Sequence, residues 1–152
     1  MKNIVLIIGL VLSFNSAFSQ VGVGTTEPKS TLDVNGSLSV KVVSLGGGPV
    51  NLKTIIDDGV YFNLTPTGPA DSYFELPDPT GLPGRIYILR NITDSVTANI
   101  SIEGSGQEFY AGDSTAGTTI VQMTTATGGG NETKTLMFVS DGANWTYGKF
   151  SF

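Results

Sequence analysis

The 152-residue chain contains neither cysteine nor histidine, so any chemistry falls to carboxylates, hydroxyls, a few lysines and aromatic rings. Thiol nucleophiles, disulfides and the usual zinc ligand sets are excluded, as is the side chain that most often moves protons near neutral pH. A serine hydrolase would have to run on a Ser–Lys pair, and the lysines sit at polar positions beside turns or strands. A glycosidase needs only two carboxylates at a suitable separation. Here, however, Asp57, Asp58, Asp71, Asp78, Asp94, Asp113 and Asp141 all fall in turn contexts, where aspartate serves local hydrogen bonding. Calcium would accept carboxylate and carbonyl oxygens, but no D-x-D-x-D-G loop occurs. The residues therefore read as a non-enzyme with no metal and no cofactor.

Aromatic rings offer another chemistry, the stacking of sugars. Tyr61, Phe62, Tyr73, Phe74, Phe109, Tyr110, Trp145 and Tyr147 are many for a small domain, and burial preference sends most of them to the core. Phe109 and Tyr110, beside the Gly112-Asp113 turn, and Trp145 are the candidate ligand contacts, with a glycan as the candidate ligand. Trp145 also reads as a core or inter-subunit anchor. A net charge of -5 with scattered basic residues argues against nucleic acid and against an anionic membrane surface.

The elements that must position these residues are strands. Charged residues make up only 14% of the chain, and 20 glycines are roughly twice the usual share of about 7%, as in an all-β protein with many turns. Candidate strands run over 59–65, 72–76, 85–92, 97–103, 107–110, 118–127, 135–140 and 144–152, a spacing that predicts a small antiparallel sandwich or barrel-like domain. Phe74 to Asn91 reads as its central hairpin, since Pro77, Pro79, Gly81 and Pro83 interrupt any ladder between two alternating runs. In the second run Ile86, Ile88 and Arg90 face one way, and Tyr87, Leu89 and Asn91 the other. Residues 128–131, Gly-Gly-Gly-Asn, read as an exposed tip.

Upstream, Lys2, the apolar run from Ile4 to Phe14 and the Ala17-Phe18-Ser19 end predict a signal peptide over 1–19. The run is about half of the roughly 20 residues a span needs, so no membrane span is expected after cleavage. No cysteine follows to carry a lipid anchor. Removal of Lys2 moves the net charge from -5 to -6. Residues 20–49 then form an extended arm, with a strand within Ser37 to Leu45 and a flexible joint at Gly46 to Pro49. The β-domain occupies 50–152.

Val21 to Gly36, VGVGTTEPKSTLDVNG, closely resembles the "GIGT, then Pro, then LDVNG" segment of secreted tail-fibre-like and surface proteins of Bacteroidetes and of bacteriophage tail fibres. Glu75-Leu76-Pro77, Gly84 to Ile88, Ile100 to Ile102 and Leu136 to Trp145, LMFVSDGANW, resemble in order the motifs of a β-domain from the same groups. The "IDG" turn common there is replaced by Phe109-Tyr110-Ala111-Gly112-Asp113, and the self-trimming C-terminal chaperone of some tail fibres has no counterpart. The resemblance implies an exported, usually trimeric fibre or surface module. Asp94-Ser95-Val96 and Asp113-Ser114-Thr115 resemble the short O-glycosylation sequon of exported Bacteroidetes proteins, which makes Ser95 and Ser114 candidate modification sites.

The expected function is thus a non-catalytic, exported structural or adhesive module of a cell-surface or fibre-like assembly, in the extracellular space, at the cell surface or in the periplasm. Its expected partner is itself, as a homotrimer formed through Val21 to Leu45 and one face of the β-domain. An arm with so few apolar residues gains too little at about 25 cal/mol per Å² to offset an ordering cost of roughly 1–2 kcal/mol per residue. The alternatives are a lectin-like module and, from the alternating, aromatic WTYGKFSF end, an outer-membrane barrel.

Overall fold

The computed structural model describes residues 21–124 and 133–150. The signal peptide expected over 1–19, the tip at 128–131 and the final residues 151–152 lie outside them. The chain divides into two units, one ending at Ser39 and one beginning at Val40.

In the first unit, β1 (Val21–Val23) pairs in parallel with β2 (Leu32–Val34). The intervening turn is tied by the Lys29 amide donating to the Asp33 carboxylate at 2.9 Å. Gly24 has a φ of +71°, and a Cβ there would lie 2.8 Å from the Asn35 carbonyl oxygen, so this position needs glycine. Val21, Val23 and Leu32 remain more than half exposed.

The second unit is all-β, and its two sheets enclose one core. β3 (Val42–Gly46), β5 (Tyr61–Thr65), β7 (Ile86–Asn91), β9 (Phe109–Ala111), β10 (Gly117–Thr118), β12 (Thr135–Ser140) and β13 (Trp145–Lys149) form a seven-stranded sheet in the order β10-β9-β13-β12-β7-β5-β3. β4 (Thr54–Ile55), β6 (Tyr73–Leu76), β8 (Ala98–Ile102) and β11 (Ile120–Met123) form the other, in the order β11-β8-β6-β4. From β3 to β9 every step along the chain changes sheet. β3, β5 and β7 pair in parallel, and so do β4, β6 and β8.

The chain therefore winds as a coil of parallel turns. Register puts Val42 beside Tyr61 and Thr54 beside Phe74, then Tyr61 beside Ile88 and Phe74 beside Ile100. Strands that are mostly antiparallel extend one side, which ends on β10 and β11. The β12–β13 hairpin lies between β7 and β9, and β11 runs antiparallel to β8. The other side ends on β3 and β4, which likewise have one neighbour each among the described residues.

Three expectations change here. The sheets are mixed rather than purely antiparallel, and Phe74 to Asn91 is not a hairpin, because β6 and β7 belong to opposite sheets. The proline-rich link instead carries a short 3-10 turn, Pro79–Gly81, capped by the Asp78 side chain accepting from the Thr80 amide. Gly46 to Pro49 is not a loose joint either. Gly48 exchanges backbone hydrogen bonds with Tyr73 at 3.0 and 3.1 Å, and the division between units falls earlier, after Ser39.

Alternation sets the core. Phe62, Leu64, Phe74, Leu76, Tyr87, Leu89, Ile100, Phe109, Phe138 and Trp145 are all buried, at every second position of their strands. Asn91 is buried among them with its amide fully used. It donates to the Val96 and Met123 carbonyls at 2.9 and 3.0 Å and accepts from the Thr93 amide and hydroxyl, which satisfies a buried polar group and ties β7 to the start of β8 and to β11. Among the described residues no helix is long and apolar enough to cross a membrane.

Candidate functional site

β9 presents its residues to alternate faces, which separates the ligand contacts expected from sequence. Phe109 points inward, fully buried, with its ring edge-on to Phe138 at 5.8 Å. Trp145, its register partner on β13, is also fully buried. Its indole N–H donates to the Pro77 carbonyl at 3.1 Å, and its ring lies 5.5 Å from that of Tyr87. Neither side chain offers a face to a ligand, and Trp145 is a core anchor that fastens β13 to the proline-rich turn. The core won both rings because each sits at an inward position of its strand.

Tyr110 faces outward, partly exposed. Its hydroxyl donates to Glu108 at 2.8 Å, and that bond, with the nearby negative charge of Glu108, raises the phenol above its ordinary value. Ser95 and Ser114 are exposed on loops, and the Ser114 hydroxyl oxygen accepts from the Ala116 amide at 3.1 Å.

The Ser140 to Trp145 stretch is explained by local bonding. Asp141 accepts from the Asn144 and Ala143 amides at 2.6 and 2.7 Å, and these two N–H groups hold its carboxyl below the ordinary range. Gly142 takes a φ of +92°. Asn144 accepts from the Glu108 amide at 2.9 Å, which docks β9 alongside β13. These are turn roles, as the sequence chemistry indicates.

The same Gly112-Asp113 turn singled out in the sequence does border a cleft, although its lining differs from the expected residues. The cleft, of about 790 Å³, lies where edge strand β11 meets the β9–β10–β13 side of the larger sheet, and Ala111, Gly112, Asp113, Thr118, Gln122, Thr133, Leu136, Tyr147 and Lys149 are among the residues around it. Ile120 and Val121 also border it, with Val121 facing the core and Ile120 the opposite side of β11. Tyr147 is held in place by stacking on Phe138 at 5.8 Å and meeting Phe109 edge-on at 6.3 Å. The Gln122 amide nitrogen donates to Asn99 at 3.1 Å. Sequence reading included Tyr147 among the rings but had no means of pairing β11 with this edge, since that contact joins strands from different sheets.

Among the described residues no cluster of three or more acidic side chains is arranged to hold a metal ion. No known family matches the chain, and neither does any curated protein or solved structure.

Proposed function

We propose that the protein is an exported, non-catalytic structural or adhesive module that assembles with copies of itself, most simply as a homotrimer, in a cell-surface or fibre-like structure. The observation that carries this reading is the outer face of the seven-stranded sheet. Register aligns Val42, Tyr61, Ile88 and Met137 across β3, β5, β7 and β12, and Ile86 and Val139 form a second pair beside them. Val42 is 59% exposed and Ile86 43%. The solvent side of a sandwich is ordinarily polar, and a continuous apolar row of this kind fits a subunit contact. The exposed Val21, Val23, Leu32 and Leu38 add surface of the same type.

Light scattering on the chain lacking residues 1–19 tests the assembly. A trimer mass at micromolar concentration is the expected result, and Ile88→Lys should shift it to monomer while the fold is retained. A monomeric wild-type chain would sink the proposal. A lectin-like role is the second reading, favoured by the cleft between β11 and the β9–β10–β13 edge.

A further inference from the structure

We propose that the outer face of the four-stranded sheet binds a neutral saccharide, stacked on the Tyr73 ring and hydrogen-bonded by the Asn99 and Gln122 amides. The inference rests on the lectin-like reading and gives it a ligand class and a location away from the cleft.

Strand phase assembles the site. Phe74, Ala98, Ile100, Val121 and Met123 are buried in the core, so Tyr73, Asn99 and Gln122, which alternate with them, stand on the other face. Register sets the three side by side, with Asn99 opposite both Tyr73 and Gln122. Backbone hydrogen bonds exchanged with Gly48 at 3.0 and 3.1 Å hold Tyr73 in place. A relay of hydrogen bonds orients the amides. The Gln122 nitrogen donates to the Asn99 side-chain carbonyl at 3.1 Å, the Asn99 side-chain nitrogen to the Ser72 hydroxyl at 3.0 Å, and that hydroxyl to the Pro69 carbonyl at 3.1 Å. With Ser95 and Thr97, these residues border a depression of about 380 Å³, at the lower end of the size that small-molecule sites take.

The lining decides the class. No charged side chain borders the depression, and Glu75, two residues further along that face of β6, is already paired with Lys53 at 2.6 Å. An ionic ligand would shed water here without meeting an opposite charge, and a wholly apolar one would strip water from hydroxyls and amides, both of which are unfavourable. A neutral polyol avoids both penalties. The Tyr73, Ser95 and Thr97 hydroxyls make no hydrogen bond to the described residues, and Gln122, oriented through one N–H, keeps its side-chain carbonyl and its other N–H for a ligand. A carboxamide that accepts from one hydroxyl and donates to the next suits the neighbouring hydroxyls of a sugar, whose ring hydrogens then cover the Tyr73 ring.

The test is a titration of the chain, in its assembled state if it assembles, with neutral gluco-, galacto- and chito-oligosaccharides and with oligogalacturonate as the acidic comparison. Backbone amide shifts are followed by NMR. The expected result is saturable binding of at least one neutral series, with shifts at Tyr73, Thr97, Asn99 and Gln122. Tyr73→Ala should weaken it by about tenfold, as for a lost aromatic contact, and Gln122→Ala by about fivefold, as for a lost neutral hydrogen bond. Asp113→Asn, in the cleft, should leave it unchanged. Gln122 and Asp113 are both exposed, so these two variants keep the fold, and an unaltered near-ultraviolet signal from Trp145 checks it. Binding that shifts residues of the cleft or of any other surface and ignores Gln122→Ala would overturn this site while leaving the lectin-like reading intact. No binding of any neutral series at millimolar concentration would remove both, and preference for oligogalacturonate would overturn the neutral class.

Discussion

Asp141 is a surface residue whose charge supports the fold through two short backbone contacts rather than through an ion pair. The Asn144 and Ala143 amides stabilise the carboxylate over the acid, so its folded value lies below its unfolded one. Stability from this group is complete above the unfolded value and is lost as pH falls through the folded value. Melting temperature should therefore decline on acidification from about pH 5 toward pH 2, and Asp141→Ala should remove that part of the decline. At neutral pH the variant should lose about 1 kcal/mol, as for a lost capping residue, measured by urea denaturation. An identical acid profile in wild type and variant would refute the assignment. This role was legible in the sequence, because Ser-Asp-Gly-Ala-Asn bonds to itself and needs no tertiary information. The aromatic residues were less so. Phe109 and Tyr110 are adjacent, and only the strand's phase, set by the core, decides which of the two is buried.

At the scale of elements, alternation carried most of what could be read. Seven of the eight expected strands occur, with ends shifted by a few residues, and β7 presents Tyr87, Leu89 and Asn91 inward as its pattern requires. The expected strand over 118–127 is instead divided, Thr118 ending β10 in the larger sheet and Ile120–Met123 forming β11 in the other, with 125–127 outside the described residues. Pairing was not legible, because alternation reports which side chains face inward and not which sheet the strand joins. The nine residues between Leu76 and Ile86 suit a hairpin loop and a crossing of the roughly 10 Å between sheets equally well. The glycines of 46–48 misled for a related reason. Flexibility and close packing both call for glycine, and only the structure separates them. A methyl group on Gly47 would press on the Asp71 carbonyl and stand 3.0 Å from the Ser72 Cα, whereas nothing lies within 4 Å of one on Gly46. Gly47→Ala should thus cost about 1–3 kcal/mol, the usual range for overpacking, and Gly46→Ala should change stability by no more than about 0.5 kcal/mol. Equal effects in urea denaturation would restore the flexible-joint reading.

For the whole molecule, both sheets end on single-neighbour strands among the described residues, β10 and β11 on one side and β3 and β4 on the other, and the second pair bears directly on assembly. β7 is hydrogen-bonded on both edges, to β5 and β12, and β8 likewise to β6 and β11, whereas β3 and β4, like β10 and β11, each have a single neighbour among the described residues. Backbone groups on an open edge exchange with solvent, and such edges are the usual places where another chain adds on. Amide hydrogen exchange in the dilute monomer should accordingly be slowest at Tyr87 to Asn91 and at Ile100, and much faster at Val42 to Gly46 and Thr54 to Ile55. Raising the concentration through the range in which the trimer forms should then slow Val42 to Gly46 selectively, because Val42 begins the apolar row and its strand is the edge nearest residues 21–39 in sequence. Protection in β7 and β8 should stay as it was, since those strands already have all their partners. If β3 exchanges at the same fast rate in monomer and trimer, its edge takes no part in assembly. The contact would then have to lie wholly on the outer face formed by Tyr61, Ile88 and Met137.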